Sequence, residues 1–258
     1  MIMAVVVLLF VLPNNVSWSQ EKDGMLKNIT TAVSQDYKNF YSLQNLGKLS
    51  IGIGVAGIVA NTSIDKEIQH WYQESLRSEC SDDFSEGVKL CGEGRLTIPL
   101  YCGAAILGEL TEHTRLGSTV GEWGRYSLRT LLVGFPPMLF LQRALGASRP
   151  EEDDSYWQPF NDDNAVSGHS FMGAVPFITA ARMADNLYIK YSLYVVSTLC
   201  GLSRVNDNDH YFSQSALGWW LAYVAATNIK KTGDHTKKWV IVPLGVSHGV
   251  GAQVVIYF

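Results

Sequence analysis

Charge is scarce in this chain. Of its 258 residues only 17% are Asp, Glu, Lys or Arg, and the formal net charge is −4. A nucleic-acid reader needs a dense basic face, so the composition excludes nucleic acid as the main partner. Uninterrupted apolar runs are lacking too. Most hydrophobic segments are broken by polar or small residues before they reach the ~20 residues of a bilayer span. The mean hydropathy is near zero. Both features favour a water-soluble helical bundle over a multi-span membrane protein. The sequence shows no internal repeat, no phosphate-binding P-loop, no zinc-ligand spacing and no serine triad. What it has in quantity is apolar material, 47% of residues, enough for a large core in one domain with small additions.

The chain opens with a short apolar run, Ala4 to Leu12, followed by small residues around Ser17-Trp18-Ser19 where a signal peptidase cuts. We read 1–19 as a signal peptide, 20–95 as an N-terminal helical region, 96–232 as a helical core and 233–258 as a β-hairpin. The fold class is all-α with that short hairpin appended. Export puts the protein in the periplasm or outside the cell. There Cys80 and Cys91 either close a disulfide, contributing roughly 3 kcal/mol, or stay two free thiols. Cys102 and Cys200 lie in apolar segments and read as buried thiols.

Several segments carry helical patterning. Leu26 to Phe40 is partly helical, and Gly47 to Ala60 reads as a core helix in preference to one resting on a membrane. Ile64 to Leu76 is amphipathic, and a polar loop with Cys80 and Cys91 follows. The core segments are Leu96 to Leu110, Trp123 to Leu145, Phe171 to Ala184, Tyr188 to Leu202 and His210 to Ile229. Pro136-Pro137 should kink or split the second of these. Trp239 to Val246 and Gln253 to Phe258 are β-branched and aromatic, with His248 in the turn between them. His70, His113 and His235 have no motif around them and read as surface residues.

The chemistry concentrates between Val166 and Gln214. Ser167-Gly168-His169 precedes a helix, whose first free N–H groups make an anion site, and glycine admits a close approach. Arg204 adds a planar, permanently charged fork. Asn206 to Asp209 is a run of capping residues, so a new helix should begin beside His210. His210 and Gln214 then share one face. The Gln214 amide oxygen accepts from one ring nitrogen, leaving the other with its lone pair toward the anion.

Arranged as Gln142 to Arg149-Pro150, then Val166-Ser167-Gly168-His169, then Ser203-Arg204 to His210 and Gln214, these residues resemble the type 2 phosphatidic acid phosphatase and vanadium haloperoxidase superfamily. Its three motifs are Lys-x6-Arg-Pro, Pro-Ser-Gly-His and Ser-Arg-x5-His-x3-Asp. The resemblance runs from Leu96 to about Ile229. It implies the family's helical bundle and a metal-independent phosphomonoester hydrolase. By that resemblance His210 attacks phosphorus, and His169 protonates the leaving oxygen and then activates water. Arg149, Arg204 and the backbone at Ser167 and Gly168 hold the non-bridging oxygens. The substrate is a phosphorylated lipid or small molecule, with a peripheral membrane contact in the lipid case. No cofactor or metal is implied, because the arginines supply the positive charge.

Three positions depart from the family pattern. Gln142 replaces the lysine, with Arg143 adjacent and able to serve the same anion. Val166 replaces proline. Gln214 replaces the aspartate, as in glucose-6-phosphatases of the superfamily. These changes suggest a slow enzyme that Q214D and Q142K should each accelerate. Two other readings remain: a non-catalytic phosphate- or lipid-binding member, and a vanadate-dependent haloperoxidase that uses vanadate as its cofactor. The loop from Glu151 to Val166 joins the first two motifs. It reads either as a substrate-selecting rim or as a solvated loop pinned by Trp157.

Overall fold

The structure is a computed structural model that describes residues 30–233, 239–246 and 249–256. The expected signal segment, His235 and His248 lie outside the described residues. The described chain opens in a helix over 30–40, α1. It continues as α2 (Leu43–Ala60), α3 (Ile64–Ser75), α4 (Glu79–Lys89), α5 (Gly94–Leu110) and α6 (Arg115–Leu145). Then come α7 (Gly168–Met183), α8 (Leu187–Val196), α9 (Leu199–Asn206) and α10 (Phe212–Gly233). Strands β1 (Trp239–Val246) and β2 (Gly249–Ile256) pair antiparallel, with Trp239 opposite Ile256 and Val246 opposite Gly249. The protein is all-α with a hairpin tail, as its periodicity predicts.

The boundaries differ where local signals compete. The expected loop around Cys80 is helix α4, started by a reciprocal cap in which Ser78 and Ser81 each bond the other's backbone N–H. Cys80 is exposed and Cys91 half-buried, and both are free thiols. Pro136 and Pro137 lie inside α6, which runs through them without being split. The segment Tyr188 to Leu202 is two helices, α8 and α9, parted at Ser197-Thr198. Ser197 is fully buried there and donates to the Tyr194 carbonyl, while Trp219 of α10 donates to the Ser197 hydroxyl. A buried side-chain network thus occupies the point where the apolar pattern alone would continue one helix.

The core lies between α6, α7 and α10. Phe171, Val175, Ile178, Leu221, Ala222 and Ala225 are fully buried in it. Gly218 lets α10 press onto the start of α7: a Cβ there would stand 2.4 Å from the Ser167 carbonyl oxygen. Arg129 of α6 donates two hydrogen bonds, 2.8 and 2.7 Å, to the fully buried Asp36 carboxylate and so ties α1 to the core. Removing one partner of such a pair costs about 3–5 kcal/mol.

The core reading of Gly47 to Ala60 is corrected by the structure. Only Asn45, Leu49, Ala56 and Ala60 of α2 are buried. Ile51, Val55 and Ile58 are each more than half exposed, and Leu43 is 89% exposed. This helix is long and apolar enough to cross a membrane. Leu107 of α5, Phe140 of α6 and Val195 of α8 are also largely exposed. The glycine and β-branched pattern thus packs one stripe of α2 and leaves its other face apolar and uncovered.

Candidate active site

Two helix starts and one helix end meet to form the site. Ser167 caps α7, its hydroxyl accepting from the Ser170 N–H at 3.3 Å. Gly168 is the first helical residue, and its N–H has no partner within the helix. The Ser167 N–H is already committed to the main-chain carbonyl of Gln214 at 2.9 Å. Of the two backbone groups expected to bind phosphate, Gly168 is therefore the one left to do so.

α10 begins at Phe212, two residues past His210, and its cap comes from elsewhere in the chain. Asp65 of α3, fully buried, accepts from the Ser213 N–H at 2.9 Å and from the Ser213 hydroxyl. The Asn206 to Asp209 run does other work. Asn208 takes a left-handed φ of 60°, a conformation that asparagine adopts more readily than most residues. The N–H groups of Asp209 and His210 both bond back to the Arg204 carbonyl, at 3.0 and 3.2 Å. This turn returns His210 to the arginine.

His210 is 7% exposed and Gln214 1%. The Gln214 amide oxygen accepts from the Tyr211 N–H at 3.2 Å, and its NH2 donates to the Ser148 carbonyl at 2.8 Å. Those two partners have fixed roles, so they fix which end of the amide is oxygen. That oxygen lies 2.8 Å from His210 Nδ1, which must then carry the proton. Nε2 keeps the lone pair that a nucleophile requires. Burial pushes the His210 imidazole down to about 4. The Gln214 hydrogen bond opposes the shift, while Arg149, Arg204 and His169 reinforce it.

Arg204 is 8% exposed, and its Nε is buried without a partner among the described residues. Its Nη1 meets Asp207 at 3.2 Å and its Nη2 meets Asp209. Arg149 donates to Asn164 at 3.2 Å and lies 3.6 Å from Asp209. Gln142 donates to the Val166 carbonyl at 2.8 Å and sits beside Gly168. It therefore reaches the motif loop but brings no charge. Arg143 is not brought to the site. It is 76% exposed and faces Asp163 at 3.6 Å. Neighbours on a helix point about 100° apart, and Gln142 takes the inward direction.

Two acidic neighbours were missed in the sequence. Glu93 lies 3.3 Å from His169 Nε2 and 3.1 Å from Arg95. Its carboxyl is held below its usual range, chiefly by the hydrogen bond with His169. Gly92 places it, since a Cβ there would lie 2.8 Å from the His169 carbonyl oxygen. Asp209 bridges the two arginines, and only its place beside His210 in the third motif pointed to it. The linking loop is pinned at Trp157, whose ring packs on Gly57 of α2 and whose main-chain N–H donates to the Asn61 side-chain oxygen at 3.0 Å. Tyr156 and Phe160 stay exposed.

The geometry around Gln214 reverses one expectation from sequence. Aspartate is one methylene shorter and has no NH2, so Q214D leaves the Ser148 carbonyl unpartnered and opens a gap. An unsatisfied buried carbonyl costs about 1–3 kcal/mol. We expect Q214D to lose stability by that amount and to react more slowly than wild type by roughly tenfold. Q214E keeps the reach but sets an oxygen against the Ser148 oxygen, and should behave similarly. Denaturant midpoints and single-turnover rates check this. A faster Q214D of unchanged stability would show that the charge outweighs the lost hydrogen bond.

Residues 130–235 match the PAP2 superfamily. The fold is similar to that of a transmembrane PAP2-type phosphatidylglycerolphosphate phosphatase from Bacillus subtilis. The TM-score is 0.59 and the identity 16%, over 75% of this chain and 97% of the other. A comparison with curated proteins returns no match. The matched stretch contains all three motifs, from Gln142 to Gln214, so the sequence match and the site's geometry fall on the same part of the chain.

Proposed function

We propose that the protein is a metal-independent phosphomonoester hydrolase that works through a phosphohistidine on His210. The observation that carries this reading is the hydrogen-bond chain Ser148 carbonyl, Gln214, His210, which leaves Nε2 unprotonated beside Arg149, Arg204 and His169. His210 attacks phosphorus, and the P–O bond to the leaving group breaks with protonation by His169. Water activated by His169 then releases phosphate from His210. Arg204, Arg149 and the Gly168 N–H neutralise the equatorial oxygens, where positioning and charge supply most of the rate. The superfamily match and the phosphatase neighbour support the reaction class.

An apolar cavity of about 210 Å³ lies between α7, α9 and α10, lined by Leu202, Val205, Phe212 and Trp219 among others. None of the residues proposed for the chemistry lines it. The exposed face of α2 supports contact with a membrane. We place the protein outside the cytoplasm, with a phosphorylated lipid or small molecule as substrate. A second reading, a phosphate- or lipid-binding protein without turnover, is favoured by the outward Arg143 and the neutral Gln142, which leave the motif lysine's charge unreplaced.

The experiment is a panel of labelled phosphomonoesters, quenched in alkaline detergent, with chelator present throughout. The hydrolase reading expects an acid-labile, base-stable phosphoenzyme and continued turnover. Strict dependence on added metal would overturn the mechanism. Binding without phosphoenzyme on any substrate would favour the second reading.

A further inference from the structure

Asp209 is unlike the other carboxylates near the site. Asp207 has a structural role: it accepts from the Ser85 hydroxyl at 2.6 Å and pairs with Arg204 and Lys89. The contacts of the Asp209 carboxylate among the described residues are with Arg149 through Oδ1 and with Arg204 through Oδ2. Each oxygen thus faces a different one of the two arginines that the site offers to a phosphate. The backbone fixes this placement. The left-handed Asn208, whose side chain accepts from Gln69 at 2.7 Å, and the return bond from Asp209 to the Arg204 carbonyl hold residue 209 in the turn. The side chain is itself 29% exposed.

We propose that Asp209 tunes the affinity of the site, as an internal anion that holds the place between Arg149 and Arg204 and that each phosphate must displace. This rests on the reading of that place as the phosphate site. Binding is then an exchange of one anion for another. The arginines are never left unpaired, and their attraction for any incoming anion is reduced by what they lose with the carboxylate. The cost is the same for substrate and for inorganic phosphate, so both affinities fall together. A substrate held by further contacts still fills the site, while inorganic phosphate, with none, leaves it readily.

The test is calorimetric titration of the full chain and of its D209N and D209A variants with inorganic phosphate and, separately, orthovanadate. D209N should bind phosphate at least tenfold more tightly, and its KM should fall. Equal or weaker phosphate binding by the folded variants overturns the proposal. If wild type hydrolyses phosphomonoesters and D209N shows no gain in affinity, this proposal fails and the hydrolase reading survives. If wild type and both variants bind neither anion, both fail together. D209N keeps the size of the side chain and D209A removes it, so the affinity test stands on either variant should the other not fold.

Discussion

H210A should form no phosphoenzyme in an alkaline quench and should lose turnover by roughly 1,000-fold or more. The loss is larger than for any supporting residue because the ring is the atom donor of the covalent step. H169A should differ in kind. It should retain slow phosphoenzyme formation with good leaving groups, such as nitrophenolate, that depart without a proton. Phosphoenzyme accumulating in H210A would move the nucleophile elsewhere. The wild-type pH profile offers a second check. With the imidazole depressed from 6.5 to about 4 by burial, His210 is neutral throughout the neutral range. The acid limb of kcat/KM, corrected for substrate ionisation, should therefore fall near pH 4. Stability follows the same linkage. Between about 4 and 6.5 the unfolded chain binds the proton and the folded one does not, so stability declines as pH falls through that window. The contribution approaches about 3 kcal/mol, and H210A should lack it.

Substitution of Arg204 should have the second-largest effect. R204K keeps a charge but lacks the planar fork, and one ammonium cannot face Asp207, Asp209 and a phosphate as the guanidinium does. We expect kcat/KM to fall about 100-fold for R204K and up to about 1,000-fold for R204A, typical of a lost oxyanion donor. R204A should also lose about 2–3 kcal/mol of stability. That is less than a fully buried pair would give, because both aspartates retain solvent contact. Initial rates and denaturant melts on both variants check these values. A kcat/KM for R204K within a few-fold of wild type would place the phosphate away from Arg204.

The sequence showed most clearly what local spacing dictates. His210 and Gln214 are four apart and hydrogen-bonded, and Ser167 caps the helix that follows it. Helix segments from Leu96 onward are found with shifted ends, because apolar periodicity reports packing faces and not the side-chain networks that end a helix. What escaped notice lies far off in sequence. Asp65 caps α10 across 148 positions, and Glu93 meets His169 across 76. Such contacts depend on how helices dock, which no local pattern encodes. Arg143 shows the same limit: its neighbour Gln142 faces the motif loop, so Arg143 cannot. The uncovered face of α2 escaped notice because composition does not say whether an apolar stripe finds a partner.

The turn from Arg204 to His210 carries a genetic consequence. Arg204 stands against two aspartates, so its loss damages folding through Asp207 and Asp209 and damages turnover through the phosphate. A selection that reports only on soluble protein should recover D209N as a second-site suppressor of R204A, since it removes one of the stranded charges. A selection for activity should recover it more weakly, because D209N frees Arg149 from its carboxylate but restores no second cation to the pocket. The two screens would therefore weight one suppressor differently.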